Sequence, residues 1–143
     1  MKRKLKILFL CTGNSCRSQM AEGWARYSKG EEIEAHSAGI NPHGLDQRAV
    51  TVMAEKGVDI SRHRSKHFEE VMNISFDWIV TVCDLANETC PVFPATAKRF
   101  HAGFDDPPRL ARDAKTEDEA LYHYRRVRDE ICQFVVKLPG ILE

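Results

Sequence analysis

The residues with the clearest capacity for chemistry are a thiol and a guanidinium in one short loop. Cys11 and Arg17 enclose a five-residue stretch that follows an apolar run and precedes an amphipathic one. Gly13 and Asn14 tolerate left-handed backbone conformations, which let successive N–H groups face one centre. The start of the next helix adds a positive end, and Arg17 can hold two oxygens of a tetrahedral oxyanion. The sequence therefore predicts an anion site that contains a nucleophilic thiol.

The same field favours the thiolate form of Cys11, and we predict a pKa below that of a free thiol. Ser18 follows the arginine and is placed to donate a hydrogen bond to this thiolate. A Walker nucleotide loop is disfavoured because the segment has no Gly-Lys-Ser/Thr. We interpret Cys16 as a small packing residue rather than a reactant. The residues predicted to bind the oxyanion are Thr12, Gly13, Asn14, Ser15, Cys16 and Arg17.

Hydrophobic periodicity predicts the elements that position this loop. Segments rich in apolar and β-branched residues alternate with amphipathic ones, which is typical of βα units and a parallel sheet. Strands are predicted at residues 5–10, 33–37, 78–82 and, more weakly, 98–102. Helices are predicted at residues 17–27, from an N-cap at Asp46 to Gly57, and from an N-cap at Thr116 to Leu138. The fold class is therefore α/β.

Composition limits the classes of protein that remain. A chain of 143 residues fits a single domain, residues 1–143. Basic and acidic residues balance at 21 each, so no net field favours nucleic acid or an anionic membrane. No apolar run approaches a membrane span of roughly 20 residues, and no signal peptide precedes the first strand. The five cysteines favour catalytic, redox or metal-binding thiols in a reducing compartment. We expect a cytoplasmic monomer.

The Cys-x5-Arg-Ser loop and its continuation from Arg17 to Glu22 resemble the low-molecular-weight protein tyrosine phosphatases and the arsenate reductases that share their fold. The continuation is similar to the reductase branch. The likeness runs the whole length of the chain and includes segments 37–39, 57–61 and 106–107. It implies a three-layer structure with a four-stranded parallel sheet of flavodoxin-like order. The loop would lie at a carboxyl strand end, where such sheets bind ligands.

A general acid is expected after the fourth strand. The turn-forming stretch 103–108 carries Asp105 and Asp106 ahead of Pro107, and its carboxylates can reach the same sheet end as Cys11. A positioned acid would protonate the oxygen that leaves when sulfur attacks the anion. The resemblance assigns this role to Asp106, with Asp105 as a surface neighbour. The alternative is an ordinary solvated Asp-Pro turn.

Two further thiols, Cys83 and Cys90, decide between a phosphatase and a reductase. Ester hydrolysis needs one thiolate and one acid, whereas a reductase delivers two electrons and needs a partner thiol. Cys83 ends a strand that should lie beside that of the loop, and the likeness to thioredoxin-linked arsenate reductases implies a disulfide relay from Cys11 through Cys83 to Cys90. Cys83 could instead be a buried structural cysteine. A zinc pair is disfavoured because six residues separate the two, against two to four in ordinary zinc sites.

The spacing of this pair implies a conformational switch. If residues 85–89 are helical, Cys83 and Cys90 stand about 10 Å apart along the axis. A disulfide requires Cα atoms roughly 4.4–6.8 Å apart. The segment must therefore unwind to close the bond. Cys132, in the apolar final helix, is interpreted as a core residue.

The histidines do not predict a metal site. His63 and His67 are four residues apart and could share a helical face, but no third ligand is evident. We interpret all six histidines as scattered surface residues, and we expect no metal and no cofactor.

Some related reductases hold a potassium ion beside the loop through oxygen ligands, and Asn14, Glu22 and Ser37 match part of that set. Arg64 and Lys66 stand where those relatives carry hydroxyl and carboxylate groups. Because a fixed cation repels potassium, we do not expect the ion here, and Lys66 is a candidate to supply the charge.

The resemblance implies reduction of arsenate to arsenite, with Cys11, Arg17, Ser18, Cys83, Cys90 and Asp106 as the catalytic set and thioredoxin or a similar thiol donor as partner. A low-molecular-weight tyrosine phosphatase is the alternative. Against it, Pro108 and Arg109 stand where those phosphatases carry the tyrosines that wall an aromatic substrate. A non-catalytic arsenite-binding regulator would explain three thiols but not the five-residue loop.

Overall fold

The structure is a computed structural model that describes residues 3–91, 93 and 97–142. Its centre is one parallel sheet of four strands in the order β2-β1-β3-β4. The strands are β1 (Leu5–Cys11), β2 (Ile33–Gly39), β3 (Trp78–Thr81) and β4 (Lys98–His101). The α/β class and the four-stranded, flavodoxin-like order are confirmed.

Strand β1 explains the layered arrangement. Its residues from Ile7 to Leu10 are all fully buried. Because successive side chains of a strand point to opposite faces, protein must cover both sides of the sheet. An apolar run without alternation therefore marks a central strand.

The helices are α1 (Arg17–Lys29), α2 (Gln47–Ala54), α3 (Asp84–Glu88), α4 (Pro107–Leu110) and α5 (Glu117–Val135). Short 3-10 segments cover Phe68–Val71, Ala111–Asp113 and Gly140–Leu142. The amphipathic helices α1 and α2 both pack against α5. No helix in the described part of the chain is long and apolar enough to cross a membrane.

The predicted caps form as the sequence indicated. Asp46 accepts a hydrogen bond from the backbone N–H of Arg48 at the start of α2. Thr116 accepts one from Glu119 at the start of α5, and Gly57 has a positive φ of 79° after α2. These caps fix where α2 and α5 begin and how the chain leaves α2.

Candidate active site

The loop between β1 and α1 is shaped by its own carbonyl groups. The carbonyls of Cys11, Thr12, Gly13 and Ser15 accept hydrogen bonds from backbone N–H groups within residues 40–46, at 2.8 to 3.1 Å. With these carbonyls engaged by the neighbouring segment, the N–H groups of the loop are left for the concave side. Helix α1 starts at Arg17, directly after the loop, and no acidic residue in its first turn offsets its positive N-terminal end.

Two positions allow this tight path. Asn14 has a φ of 47°, in the left-handed region that asparagine tolerates better than most residues. Gly39, paired with Cys11 across the sheet, has no room for a side chain: a Cβ would lie 2.7 Å from the carbonyl oxygen of Thr12. The segment 37–39, noted in the sequence for its resemblance, is thus packed directly beneath the loop.

Cys11 is buried, with 3% of its surface exposed. Its Sγ lies 2.9 Å from Ser18 Oγ and accepts a hydrogen bond from the N–H of Asn14 at 3.2 Å. Burial raises the pKa of the Cys11 thiol, and the bonds from Ser18 and Asn14 lower it by less. The predicted direction of the pKa is therefore wrong for this state, because the guanidinium of Arg17 is turned elsewhere and the thiol is shielded from water.

Arg17 is turned toward the segment that carries the predicted acid. Its Nη1 donates to the carbonyl oxygen of Phe104 at 3.0 Å, and its Nη2 lies 3.6 Å from Asp106 Oδ1. Asp106 precedes α4 as its N-cap residue, whereas Asp105 pairs with Arg126 at the surface. The structure thus brings Cys11, Arg17 and Asp106 to one cavity of about 480 Å³.

The cavity is lined by the loop and by two other segments. Besides Cys11, Thr12, Gly13, Ser15, Cys16 and Arg17, its walls contain His43, Leu45, Asp46, Asp106, Pro108, Arg109 and Arg112. Asn14 is fully buried and does not line it; its side chain supports the loop instead. Within the described residues, no phenylalanine, tyrosine or tryptophan lines this cavity. The arginine side chains among its lining residues, Arg17, Arg109 and Arg112, favour an anion.

Cys83 lies beside the loop. It is the N-cap of α3, it is 3% exposed, and its Sγ is 3.3 Å from Thr12 Oγ1. Because Thr12 directly follows Cys11, this contact sets Cys83 against the anion loop. The N–H of Ala86 donates to Cys83 Sγ at 3.4 Å.

Cys90 follows the end of α3 and is partly buried, which raises its pKa. Residues 84–88 are helical and Thr89 is the C-cap, so a turn of helix separates the two thiols in this state over most of the predicted segment 85–89. All five cysteines are free thiols here. The structure therefore describes the reduced protein.

The other cysteines differ in burial. Cys16 is buried, and its pKa is raised well above the ordinary value, first by burial and then by the nearby Asp46. This is consistent with a packing role. Cys132 is only partly buried on α5, so it lies at the edge of the core rather than inside it.

A buried polar network supports the loop from behind. The side-chain N–H₂ of Asn14 donates to Ser18 Oγ at 2.8 Å and to Ser37 Oγ at 3.0 Å. Ser37 donates to Glu22 Oε1 at 2.5 Å. Hydrogen bonds therefore connect the nucleophile with a buried carboxylate through Ser18, Asn14 and Ser37.

Basic side chains of the chain itself lie beside Glu22. Arg26 lies 2.7 Å from Glu22 Oε2, and His63 Nε2 lies 3.9 Å from it. Lys66, the expected source of the charge, directs its Nζ to the carbonyl oxygen of Arg64 at 3.3 Å; its pKa is lowered by burial and raised by Glu22. Arg26 thus makes the direct ion pair. The signal for it in the sequence was its position four residues after Glu22 on one helix.

The interpretation of all histidines as surface residues is wrong for His63. Its side chain is 13% exposed, and its Nδ1 lies 3.0 Å from Gln19 Oε1. Burial lowers the pKa of His63. The helix that would have paired His63 with His67 does not form, since residues 62–66 are irregular. Within the described residues, no group of three or more potential ligands could hold a metal ion.

Comparison with known proteins agrees with this geometry. The family model for low molecular weight phosphotyrosine protein phosphatase matches residues 6–140. The chain is 50% identical over 131 residues to an arsenate reductase of Bacillus subtilis (strain 168), which covers 92% of this chain and 91% of the relative. It is 48% identical over 128 residues to an arsenate reductase of Bacillus licheniformis, with 90% of each chain covered. The crystal structure of arsenate reductase from Archaeoglobus fulgidus superposes with a TM-score of 0.73 at 30% identity, over 94% of this chain and 98% of that one.

The chain therefore belongs to the low molecular weight phosphotyrosine protein phosphatase family. Within that family, its resemblance to the arsenate reductase branch is confirmed by relatives at about 50% identity over most of the chain.

Proposed function

We propose that this protein is a thiol-dependent arsenate reductase that converts arsenate to arsenite. The observation that carries the proposal is the position of a second thiol, Cys83, beside the anion loop that holds Cys11. Hydrolysis of a phosphate ester has no use for this thiol. The names of the relatives support the same activity.

The first step forms a bond between sulfur and arsenic. Arsenate enters the loop, and Arg17 turns from the Phe104 carbonyl to hold two of its oxygens. The Cys11 thiolate attacks arsenic, and Asp106 passes a proton to the departing oxygen, which leaves as water. Arsenic is still As(V) at this stage.

The second step transfers the electrons. The Cys83 thiolate attacks Cys11 Sγ, and the bond between sulfur and arsenic breaks with its electron pair left on arsenic. Arsenic is reduced to As(III) and leaves as arsenite, while the two sulfurs are oxidised to a disulfide. The N–H of Ala86 donates to Cys83 Sγ and holds the sulfur at the start of α3.

The third step carries the oxidation outward. Cys90 attacks Cys83 Sγ, and Cys11 leaves as a thiolate without net redox change. A dithiol protein such as thioredoxin then reduces the bond between Cys83 and Cys90. Cys90 is more accessible than Cys83, which suits it to meet a protein donor.

The compartment, the partners and the oligomeric state are also part of the proposal. Reduced thiols and a dithiol donor fit the cytoplasm. The equal numbers of basic and acidic residues give no reason to expect nucleic-acid or membrane partners. We propose a monomer, since every residue used in the steps above comes from one chain.

A tyrosine phosphatase is the second candidate, because the same loop accepts phosphate. The cavity wall at Pro108 and Arg109, without an aromatic side chain among its described residues, argues against a phosphotyrosine substrate. An arsenite-binding regulator would leave Arg17 and Asp106 without a role.

One assay separates the three candidates. Reduced protein is mixed with an excess of arsenate in the absence of any donor, and arsenite and free thiols are counted. A reductase releases one arsenite and loses two thiols per chain. Release of no arsenite, with cleavage of an aryl phosphate intact, would establish the phosphatase instead.

A further inference from the structure

The relay thiols Cys83 and Cys90 flank helix α3, and few residues of this helix make buried apolar contacts. Of its five residues only Ala86 is buried, and Leu85 is 48% exposed. One turn of helix is marginal in water, because fixing the first turn costs more than its hydrogen bonds return. Polar contacts to the rest of the protein must therefore provide much of its stabilisation.

Those contacts come from the ends of two strands. His101, the last residue of β4, is paired with Thr81, the last residue of β3. Its Nδ1 lies 2.8 Å from Thr81 Oγ1, and its Nε2 lies 3.2 Å from Asp84 Oδ1. Thr81 is buried, with 2% of the residue exposed, and its hydroxyl donates to Asn87 Oδ1 at 3.4 Å. The first and fourth residues of α3 are thus tied to the sheet.

The neighbouring chain leaves room for this arrangement. A Cβ at Gly103 would lie 3.1 Å from His101 Nε2 and 3.4 Å from Asp84 Oδ1. A side chain at position 103 would therefore crowd the contact between the imidazole and the carboxylate. Glycine at this position keeps the contact open.

We propose that Thr81 and His101 form a latch that holds α3 helical and thereby sets the rate at which Cys83 and Cys90 form a disulfide. This inference deepens the proposed function and rests on its relay. Both are positioning residues, because they act through α3 rather than on the substrate.

The latch has a use at each stage of the relay. While α3 is helical, the N–H of Ala86 supports the sulfur of Cys83, and Cys90 is too distant to react. Closing the second disulfide breaks the helix, including the bond from the N–H of Asn87 to the Cys83 carbonyl at 3.1 Å. The latch thus slows the approach of Cys90 to Cys83.

The test isolates the second disulfide from arsenate chemistry. In a Cys11→Ser background, diamide takes two electrons and two protons from Cys83 and Cys90, and quenched peptide mapping follows the bond between them. We expect His101→Ala and Thr81→Val to form it about fivefold to tenfold faster than the parent, since the contacts that each variant loses are worth about 1 to 1.4 kcal/mol in total. Hydrogen exchange at the Asn87 and Thr89 amides should accelerate in the same variants.

One control keeps the latch contacts, and the other removes a histidine outside the latch. Thr81→Ser retains the hydroxyl, and His123→Ala removes a histidine on α5; both should match the parent. Equal disulfide rates in the parent, His101→Ala and Thr81→Val would overturn the latch, as would faster hydrogen exchange without a faster disulfide. Diamide replaces arsenate in this test. The rate of the disulfide between Cys83 and Cys90 can therefore be interpreted even if the native protein does not reduce arsenate.

Discussion

Ser18 Oγ lies 2.9 Å from Cys11 Sγ and at the same time accepts a hydrogen bond from the Asn14 side chain at 2.8 Å. A hydroxyl has one proton. Because Asn14 already donates to the oxygen, the proton of Ser18 is free to point at the sulfur. Ser37, which accepts from the same amide, gives its own proton to Glu22.

The first prediction concerns this bond. Burial raises the pKa of Cys11 and the hydrogen bond from Ser18 lowers it, so Ser18→Ala should raise the pKa further. The pH profile of Cys11 alkylation by iodoacetamide should move upward by roughly one pH unit, since a hydrogen bond to a charged group is worth about 1.5 kcal/mol or more. At any pH below the midpoint, less thiolate is present and alkylation is slower.

Ser28→Ala is the matched control, because Ser28 lies on the same helix and donates to the Trp24 carbonyl. Its profile should overlay that of the native protein. A profile that is unchanged by Ser18→Ala would mean that the hydroxyl does not stabilise the thiolate.

The second prediction concerns Arg17→Lys. The charge is kept, but an ammonium cannot reproduce a planar grip on two oxygens. We expect arsenate reduction under subsaturating substrate to fall at least about a hundredfold, as is usual when a charge-stabilising donor is lost, and phosphate binding measured by calorimetry to weaken. Arg125→Lys, at a surface pair with Glu55, should change neither. Unaltered turnover and phosphate affinity in Arg17→Lys would place the oxyanion elsewhere.

The third prediction concerns potassium. Glu22 is already paired with Arg26 at 2.7 Å, with His63 and Lys66 close by. A ligand that binds the native state raises its melting temperature by mass action. We therefore expect melting temperatures in potassium chloride and in equimolar tetramethylammonium chloride to agree within about 1 °C. A clearly higher value in potassium chloride would reveal a cation site.

The fold could be predicted because its main elements carry strong patterns. Strand β1 is a nearly continuous apolar run, and α5 combines a cap at Thr116 with a long apolar stripe. Helices α3 and α4 span only 5 and 4 residues, too short for a period of 3.6 to be visible. Their presence depends on contacts such as the Pro107 start of α4 and the buried methyl of Ala86.

Some features of the candidate site could likewise be predicted from the sequence, and others could not. The proximity of Cys11 and Arg17 could be predicted from their spacing alone, since both belong to one loop. The burial of His63 was missed because it lies in an irregular segment, where no periodicity separates inside from outside. The direction of the Cys11 pKa was missed because it depends on how residues 40–46 and the Arg17 side chain pack, which are tertiary contacts.

The fourth prediction separates reductase from phosphatase within one chain. Cys83→Ser keeps the loop and Asp106, so slow cleavage of an aryl phosphate can persist, but arsenite release should fail because no partner thiol attacks Cys11. Cys11→Ser, by contrast, should abolish both reactions, because an alcohol at neutral pH lacks the nucleophilicity of a thiolate.

Cys90→Ser should show a different defect. Arsenite should still be released once per chain, leaving Cys11 joined to Cys83, and turnover with a dithiol donor should stall because the oxidation cannot move to the more accessible position. Native protein after reaction should instead contain the bond between Cys83 and Cys90, with α3 unwound since a regular helix cannot bridge that spacing. Peptide mapping under non-reducing conditions identifies which of these disulfides is present. Cys132→Ser is the control, because Cys132 is a partly buried thiol outside the site. Full steady-state reduction of arsenate by both Cys83→Ser and Cys90→Ser would eliminate the relay and leave the phosphatase candidate.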